Sequence, residues 1–220
     1  MADHRTISIA DQIFDQLERD ILSGRYQRGE TISELQLSRE LGVSRTPIRE
    51  AVRRLEQEHI LEESSRGLTV VGITHEDILD MYEIRARLEG LAAERAAANI
   101  TAEQLSAMGE LLEMQKYYID RQTETGRDYS EKIREQDSQF HEALYESCGS
   151  RALADTLLPI HKKTMKYRMA SVRQSSRARD SLAEHMEIYE ALRRGDGAAA
   201  AELACRHVEK ARSRIADIRG

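Results

Sequence analysis

Residues 34–61 read ELQLSRELGVSRTPIREAVRRLEQEHIL, and this stretch decides the N-terminal fold. Leu35, Leu37, Leu41 and Val43 are expected to point inward from a short helix that Gly42 ends. Ser44 is a suitable N-cap, and Pro47 is tolerated in a first turn whose N–H groups have no intrahelical partner. Ile48, Val52 and Leu55 then form one apolar stripe, which predicts a helix from about Arg45 to Glu58. Upstream, apolar residues from Ile9 to Ser23, among them Ile13, Leu17 and Ile21, recur at helical spacing before Gly24. Ser33 with Gln36 makes a capping-box pattern that opens the second helix. Downstream, His59 to Glu62 and Leu68 to Ile73 are β-prone and are separated by Ser64-Ser65-Arg66-Gly67, the pattern of a hairpin. Three helices and a small hairpin over residues 1–74 describe a winged helix-turn-helix.

The exposed start of the third helix carries Arg45, Thr46 and Arg49. Arg45 and Arg49 lie one turn apart on one face, and a guanidinium pairs bidentately with the O6 and N7 edge of guanine. Arg53 and Arg54 lie further along, where they could serve phosphates and fix register without reading sequence. The plain alternative is a solvated face, its arginines paired with Glu50, Glu56 and Glu58. The joint occurrence of the glycine stop, the first-turn proline, the arginines and the hairpin tip favours double-stranded DNA. The net charge of -6 does not oppose it. Residues 1–74 hold ten Arg, no Lys and thirteen acids, so a DNA footprint has to be a local patch.

LGVSRTPIREAVRRLEQEHIL resembles the signature of GntR-family regulators, and the resemblance covers the first 74 residues. It implies DNA contacts from Arg45, Thr46 and Arg49 and a wing tip, Arg66 and Gly67, that enters the minor groove. It also implies a homodimer on a short inverted-repeat operator, in keeping with helix-turn-helix symmetry.

Beyond residue 74 the pattern is helical throughout. Charged residues are 33% of the chain and aromatics 5%, with no Trp and two Pro, a composition suited to long amphipathic helices. Breaks near Asn99 to Thr101, Gly126, Gly149 to Ser150, Ser175 to Ser176 and Gly195 to Gly197 imply six helices, the fourth kinked by Pro159. The expected class is mostly α: a winged helix-turn-helix at 1–74 and an antiparallel six-helix bundle at 75–220, roomy enough for a pocket. No leader pattern and no apolar run of ~18 residues is present, so a cytoplasmic protein with no membrane partner is expected. Cys148 and Cys205 lack a CxxC partner and read as reduced, partly buried thiols.

Asp137 and His141 stand four residues apart on one helix face, beside Phe140 and Leu144, where such a pair can chelate. His185 and His207 lie on the apolar sides of the last two helices, so one carboxylate and three imidazoles could meet. That donor set suits a divalent metal such as zinc or nickel and not calcium. His4 in the N-terminal tail, His59 at the helix-to-wing junction, His75 in a first helical turn and His161, with no carboxylate or His at helical spacing, read as structural or incidental.

DSQFHEAL (137–144), EHMEIYEALRRGD (184–196) and the late His207 resemble the FCD effector domain of the FadR-type branch of the same family. The resemblance implies a metal held by Asp137, His141, His185 and His207. Six helices correspond to the VanR-type form, which makes a fatty acyl-CoA effector unsuitable. IRARLEGLAAERAA (84–97) resembles the first helix of that domain, where Arg85 would clamp an effector carboxylate; a salt bridge to Glu89, four residues on, is the equal alternative. Where the family has Ser-Gly-Asn this chain has Cys148-Gly149-Ser150-Arg151. The function so implied is a repressor that senses a small organic acid through a metal. A purely structural metal, or the metal as signal, stays open. A metal-dependent hydrolase is the remaining rival, although no HExxH, G-x-S-x-G or phosphate-loop motif supports it.

Overall fold

In a computed structural model, residues 8–65, 67–171 and 178–217 are described. Contacts divide the chain into two compact units, Met1–Thr74 and His75–Gly220. Arg66 and His4 lie outside the described residues.

The first unit contains α1 (Ile9–Leu22), β1 (Thr31–Ile32), α2 (Glu34–Leu41), α3 (Arg45–Gln57), β2 (Leu61–Ser64) and β3 (Gly67–Val70). Its core is one cluster in which Phe14 and Leu17 of α1, Leu37 of α2 and Ile48, Val52 and Leu55 of α3 meet Ile32, Leu61 and Val70 of the sheet. The expected hairpin forms, but with a third strand that the sequence reading lacked. The antiparallel order is β1-β3-β2, with Thr31 opposite Thr69 and Ile32 opposite Leu68. Gly67 explains how the strands come so close: its φ is +126°, and a Cβ there would lie 2.9 Å from the Ile32 carbonyl oxygen.

Local chemistry departs from expectation at four points. Ser33 caps α2 by accepting from the Gln36 amide, but the Gln36 side chain turns to Glu40 at 2.9 Å, so the capping box is half made. Ser44 occupies the N-cap of α3 without a side-chain cap bond. Leu35 is 49% exposed, not inward; it stands two positions from fully buried Leu37, about 200° around the helix. His59, expected to begin a strand, instead closes α3 in the left-handed region at φ 57°. There the His59 amide bonds to the Glu56 carbonyl and the Ile60 amide to that of Leu55, a Schellman end sealed by the buried Leu55 and Ile60 side chains.

The second unit is a bundle of α4 (His75–Asn99), α5 (Ala102–Thr125), α6 (Ser130–Ser147), α7 (Arg151–Ser171), α8 (Ala178–Arg193) and α9 (Gly197–Ala216). α4 lies along α9 over a seam of small side chains, with Ala92, Ala93 and Ala96 buried on one helix and Ala200 and Ala204 on the other. At Gly90 a Cβ would stand 3.2 Å from the Ala201 carbonyl oxygen, so the glycine permits this approach. Pro159 lies inside α7, which continues past it to Ser171. The ring takes the amide that would otherwise bond to the Asp155 carbonyl. Cys148 is buried and Cys205 half-buried, both reduced. Arg151 is 94% exposed beside Asp155, and Gly149 packs on the Asn99 side chain, so the altered Ser-Gly-Asn position serves the α6–α7 turn. No described helix is long and apolar enough to cross a membrane.

Candidate nucleic-acid interface and candidate metal centre

On the first unit, α3 presents Arg45, Thr46, Arg49 and Arg53 as exposed side chains, while Ile48, Val52 and Leu55 anchor the opposite face. The partner of the arginines is none of the acids expected within α3. Glu34, the first residue of α2, receives Arg45 NH2 at 2.6 Å and Arg49 Nε at 2.9 Å. Arg54 is occupied otherwise: it bonds Asp11 at 2.6 Å and lies over the Phe14 ring at 4.1 Å, so it ties α3 to α1. Gly67 opens β3 opposite Ser64, whose hydroxyl donates to its carbonyl at 2.9 Å.

In the second unit, α6, α8 and α9 bring His141, His185 and His207 together, all buried, with nitrogens of the three rings within 4.8 Å of one another. His185 Nε2 and His207 Nε2 stand 3.3 Å apart. Two nitrogens each about 2.0–2.1 Å from one tetrahedral ion are separated by about 3.3 Å, so this pair has the spacing of a chelate. Asp137 stands one step away: its Oδ1 is 3.9 Å from His185 Nδ1 and accepts from the Ser181 hydroxyl at 3.0 Å. His185 Nδ1 is a buried atom with no hydrogen-bond partner.

Carboxylates set the outer nitrogens of the other two rings. His207 Nδ1 meets Glu184 at 2.6 Å, and Lys210 Nζ bonds the same carboxylate at 3.0 Å. His141 Nδ1 meets Glu89 Oε2 at 2.9 Å. Burial raises the Glu89 carboxyl, but Arg85 and then His141 outweigh it and hold the group well below the usual carboxylate range. Glu89 is therefore an acceptor only, and the proton of this contact belongs to His141 Nδ1. The Nε2 lone pair of His141 is left to face a ligand, as in carboxylate–histidine–metal arrangements.

A second polar knot adjoins the first through His141. Arg85 Nε bonds Glu89 Oε1 at 2.7 Å, the Tyr145 hydroxyl donates to the same oxygen at 2.7 Å, and Arg85 NH1 donates to the Thr164 hydroxyl at 2.7 Å. Burial works against the Arg85 charge, and the Glu89 carboxylate beside it more than restores it. Of the two readings of Arg85, the salt bridge is the one the structure shows.

His161, which the sequence marks as structural or incidental, is fully buried on α7 in this knot. Its ring centroid is 4.8 Å from that of His141, its Nε2 is 3.1 Å from Ser138 Oγ, and its Nδ1 has no partner. Burial, then the Arg85 guanidinium and the neighbouring His141 ring, push its pKa well below the ordinary value. His185 is pushed the same way by burial and then by His207. Both rings are neutral near pH 7, the form that offers a lone pair.

Comparison with known proteins agrees with this architecture. Residues 9–71 match the model of bacterial regulatory proteins of the gntR family, and residues 80–210 match that of the FCD domain. The chain is 32% identical to the uncharacterised HTH-type transcriptional regulator YdhC of Bacillus subtilis over 89% of its length and 86% of that protein's. It is 27% identical to the HTH-type transcriptional repressor RspR of Escherichia coli over 97% and 92%. Among solved structures, E. coli McbR/YncC superposes with a TM-score of 0.70 at 20% identity, covering 96% of this chain and 99% of that one. Lar, which controls expression of the Listeria monocytogenes agr system, gives 0.72 at 16% identity over 96% and 98%. YdhC and RspR are both named as regulators of transcription. With both parts matched in this order, the chain is a transcription regulator that belongs to the GntR family and carries an FCD domain behind its winged helix-turn-helix.

Proposed function

We propose that this regulator is a homodimeric repressor of an inverted-repeat operator, and that its helical unit senses a small organic acid through a divalent ion such as zinc or nickel. The observation that carries the reading is the buried meeting of His141, His185 and His207, with carboxylates holding the outer nitrogens of His141 and His207. Those three rings with Asp137 would hold the ion, which when bound supplies open coordination positions for an anionic oxygen. Arg85, already charged and buried, and His161 with its unpartnered Nδ1 give the neighbouring wall a polar character that suits a carboxylate. A protein named gluconate operon transcriptional repressor, of Bacillus licheniformis, is 32% identical over 60% of this chain and 52% of its own length, which agrees with an acid of that class.

On the DNA side, Arg45 and Arg49 read guanine edges, Thr46 supports them, Arg53 meets phosphate, and the wing tip at Arg66 and Gly67 reaches the minor groove. The acid regulates by binding one arrangement of the dimer better than another, and ~1 to 3 kcal/mol of coupling suffices. Calorimetric titration of candidate carboxylates, with and without chelator and with and without operator, tests the reading. Binding that needs metal and weakens on operator DNA is expected. Metal-independent binding would make the ion structural, and full metal content in a chain carrying both His185→Ala and His207→Ala would refute the ligand set.

A further inference from the structure

Glu34 is absent from every reading of the DNA-contacting face, yet it touches both arginines on which that reading depends. It is the first residue of α2, set there by the Ser33 cap, and its side chain is 25% exposed against 52% for Arg45 and 62% for Arg49. One carboxylate spans the two guanidinium groups, at 2.6 Å to Arg45 NH2 and at 2.9 and 3.2 Å to Arg49 Nε. The Arg49 contact uses the inner nitrogen, so Glu34 leaves the terminal NH1 and NH2 pair unengaged, and an end-on fork of this kind fits O6 and N7 of guanine. Ion pairs this exposed contribute about 0–1 kcal/mol to folding, which makes stability a weak account of the arrangement. Burial raises the Glu34 carboxyl, but its hydrogen bonds from Arg45 and Arg49 outweigh that and hold it ionised.

We propose that Glu34 is a positioning residue that determines specificity: it aligns Arg45 and Arg49 for base edges and withholds their charge from the phosphates of unselected DNA. Two physical effects combine. Fixing a long side chain before binding removes an ordering cost that only the aligned, specific complex recovers in full. A negative charge inside the patch weakens attraction to any phosphate, a term common to all sequences. The first favours the selected site and the second penalises every other, so the ratio between them widens from both sides.

The proposal rests on Arg45 and Arg49 as base readers, and the experiment separates the two claims. The full chain is titrated by fluorescence anisotropy, across a salt series, against a duplex that it selects from a random pool and an unselected duplex of equal length. Glu34→Gln keeps the shape and removes the charge. Expected are tighter binding to the unselected duplex, a log K against log salt slope steeper by about one, and a selected-to-unselected ratio lower by about tenfold. The penalty for replacing the guanine read by Arg49 also shrinks, and Glu34→Gln does little more to that penalty once Arg49→Ala is in place. Glu34→Asp, too short to span both groups, should keep the unselected affinity but lose base discrimination. An unchanged ratio with unchanged base penalties in both variants, or equal shifts on both duplexes, would overturn the role of Glu34. Normal binding and base preference in Arg49→Ala would instead overturn the reading of the face.

Discussion

Two Arg–Glu pairs with nearly the same bond length occupy opposite environments in this chain. Arg49 and Glu34 meet at 2.9 Å with side chains 62% and 25% exposed; Arg85 and Glu89 meet at 2.7 Å with 5% and 1%. In water the attraction is screened and ordering two side chains consumes most of it, so the surface pair orients groups without holding the fold. In the interior each charge has lost its hydration, and neither can be left without the other. That is why Glu89 collects Arg85, Tyr145 and His141 on its two oxygens. The same chemistry sets a reading device in one place and fills a core in the other.

The largest test of this contrast is Glu89→Ala. It strands the Arg85 charge and the Tyr145 hydroxyl in the bundle and should cost about 3–5 kcal/mol of stability, read as a shift of the helical unit's urea transition. A loss near that of a surface pair would mean that the buried knot relaxes freely. The surface counterpart is Arg49→Ala or Arg45→Ala, each expected to cost about 1–3 kcal/mol of specific operator binding. The same variants should lose no more than about 1 kcal/mol of folding stability. Mobility shifts paired with thermal melts measure both, and a variant that melts early but binds normally would reverse the contrast.

A smaller effect comes from Tyr26, whose hydroxyl donates to Glu40 at 2.7 Å. Burial, reinforced by that bond, pushes its phenol up to about 12. Because the folded pKa lies above the ordinary 10, this contribution to stability is whole below pH 10 and is lost as the pH rises through about 12. Alkaline melts of the wild-type chain should show this loss and those of Tyr26→Phe should show less of it; parallel curves would count against the pairing.

Legibility in the sequence followed distance along the chain. The stripe Ile48, Val52, Leu55, the stops at Gly42 and Gly126 and the six helical stretches after Thr74 are local patterns, and the structure contains the corresponding helices. β1 was invisible because two residues give no alternation to count, and it exists only through its pairing with β3. Glu34 escaped notice because its partners lie 11 and 15 positions away on another helix, where helical spacing says nothing. His161 was set aside for the same reason: its neighbours Ser138, His141 and Tyr145 are on α6. Asp137 and His141, by contrast, share a helix, and their four-residue spacing alone put them on one buried face. The meeting of His141, His185 and His207 needed three helices to be placed, and there the family resemblance supplied what periodicity could not.

The end of α3 carries a backbone strain that its own residue type does not relieve. His59 is the single non-glycine among the described residues with a positive φ, so its Cβ bears a backbone cost of roughly 1–2 kcal/mol that a glycine would escape. The Schellman bonds depend on main-chain atoms and the Leu55–Ile60 contact on its neighbours, so nothing in that turn requires an imidazole. An engineer seeking a hardier DNA-binding unit has a substitution ready at a position remote from the guanidinium fork. A chain that keeps histidine there is content with a helix end looser than its geometry would allow.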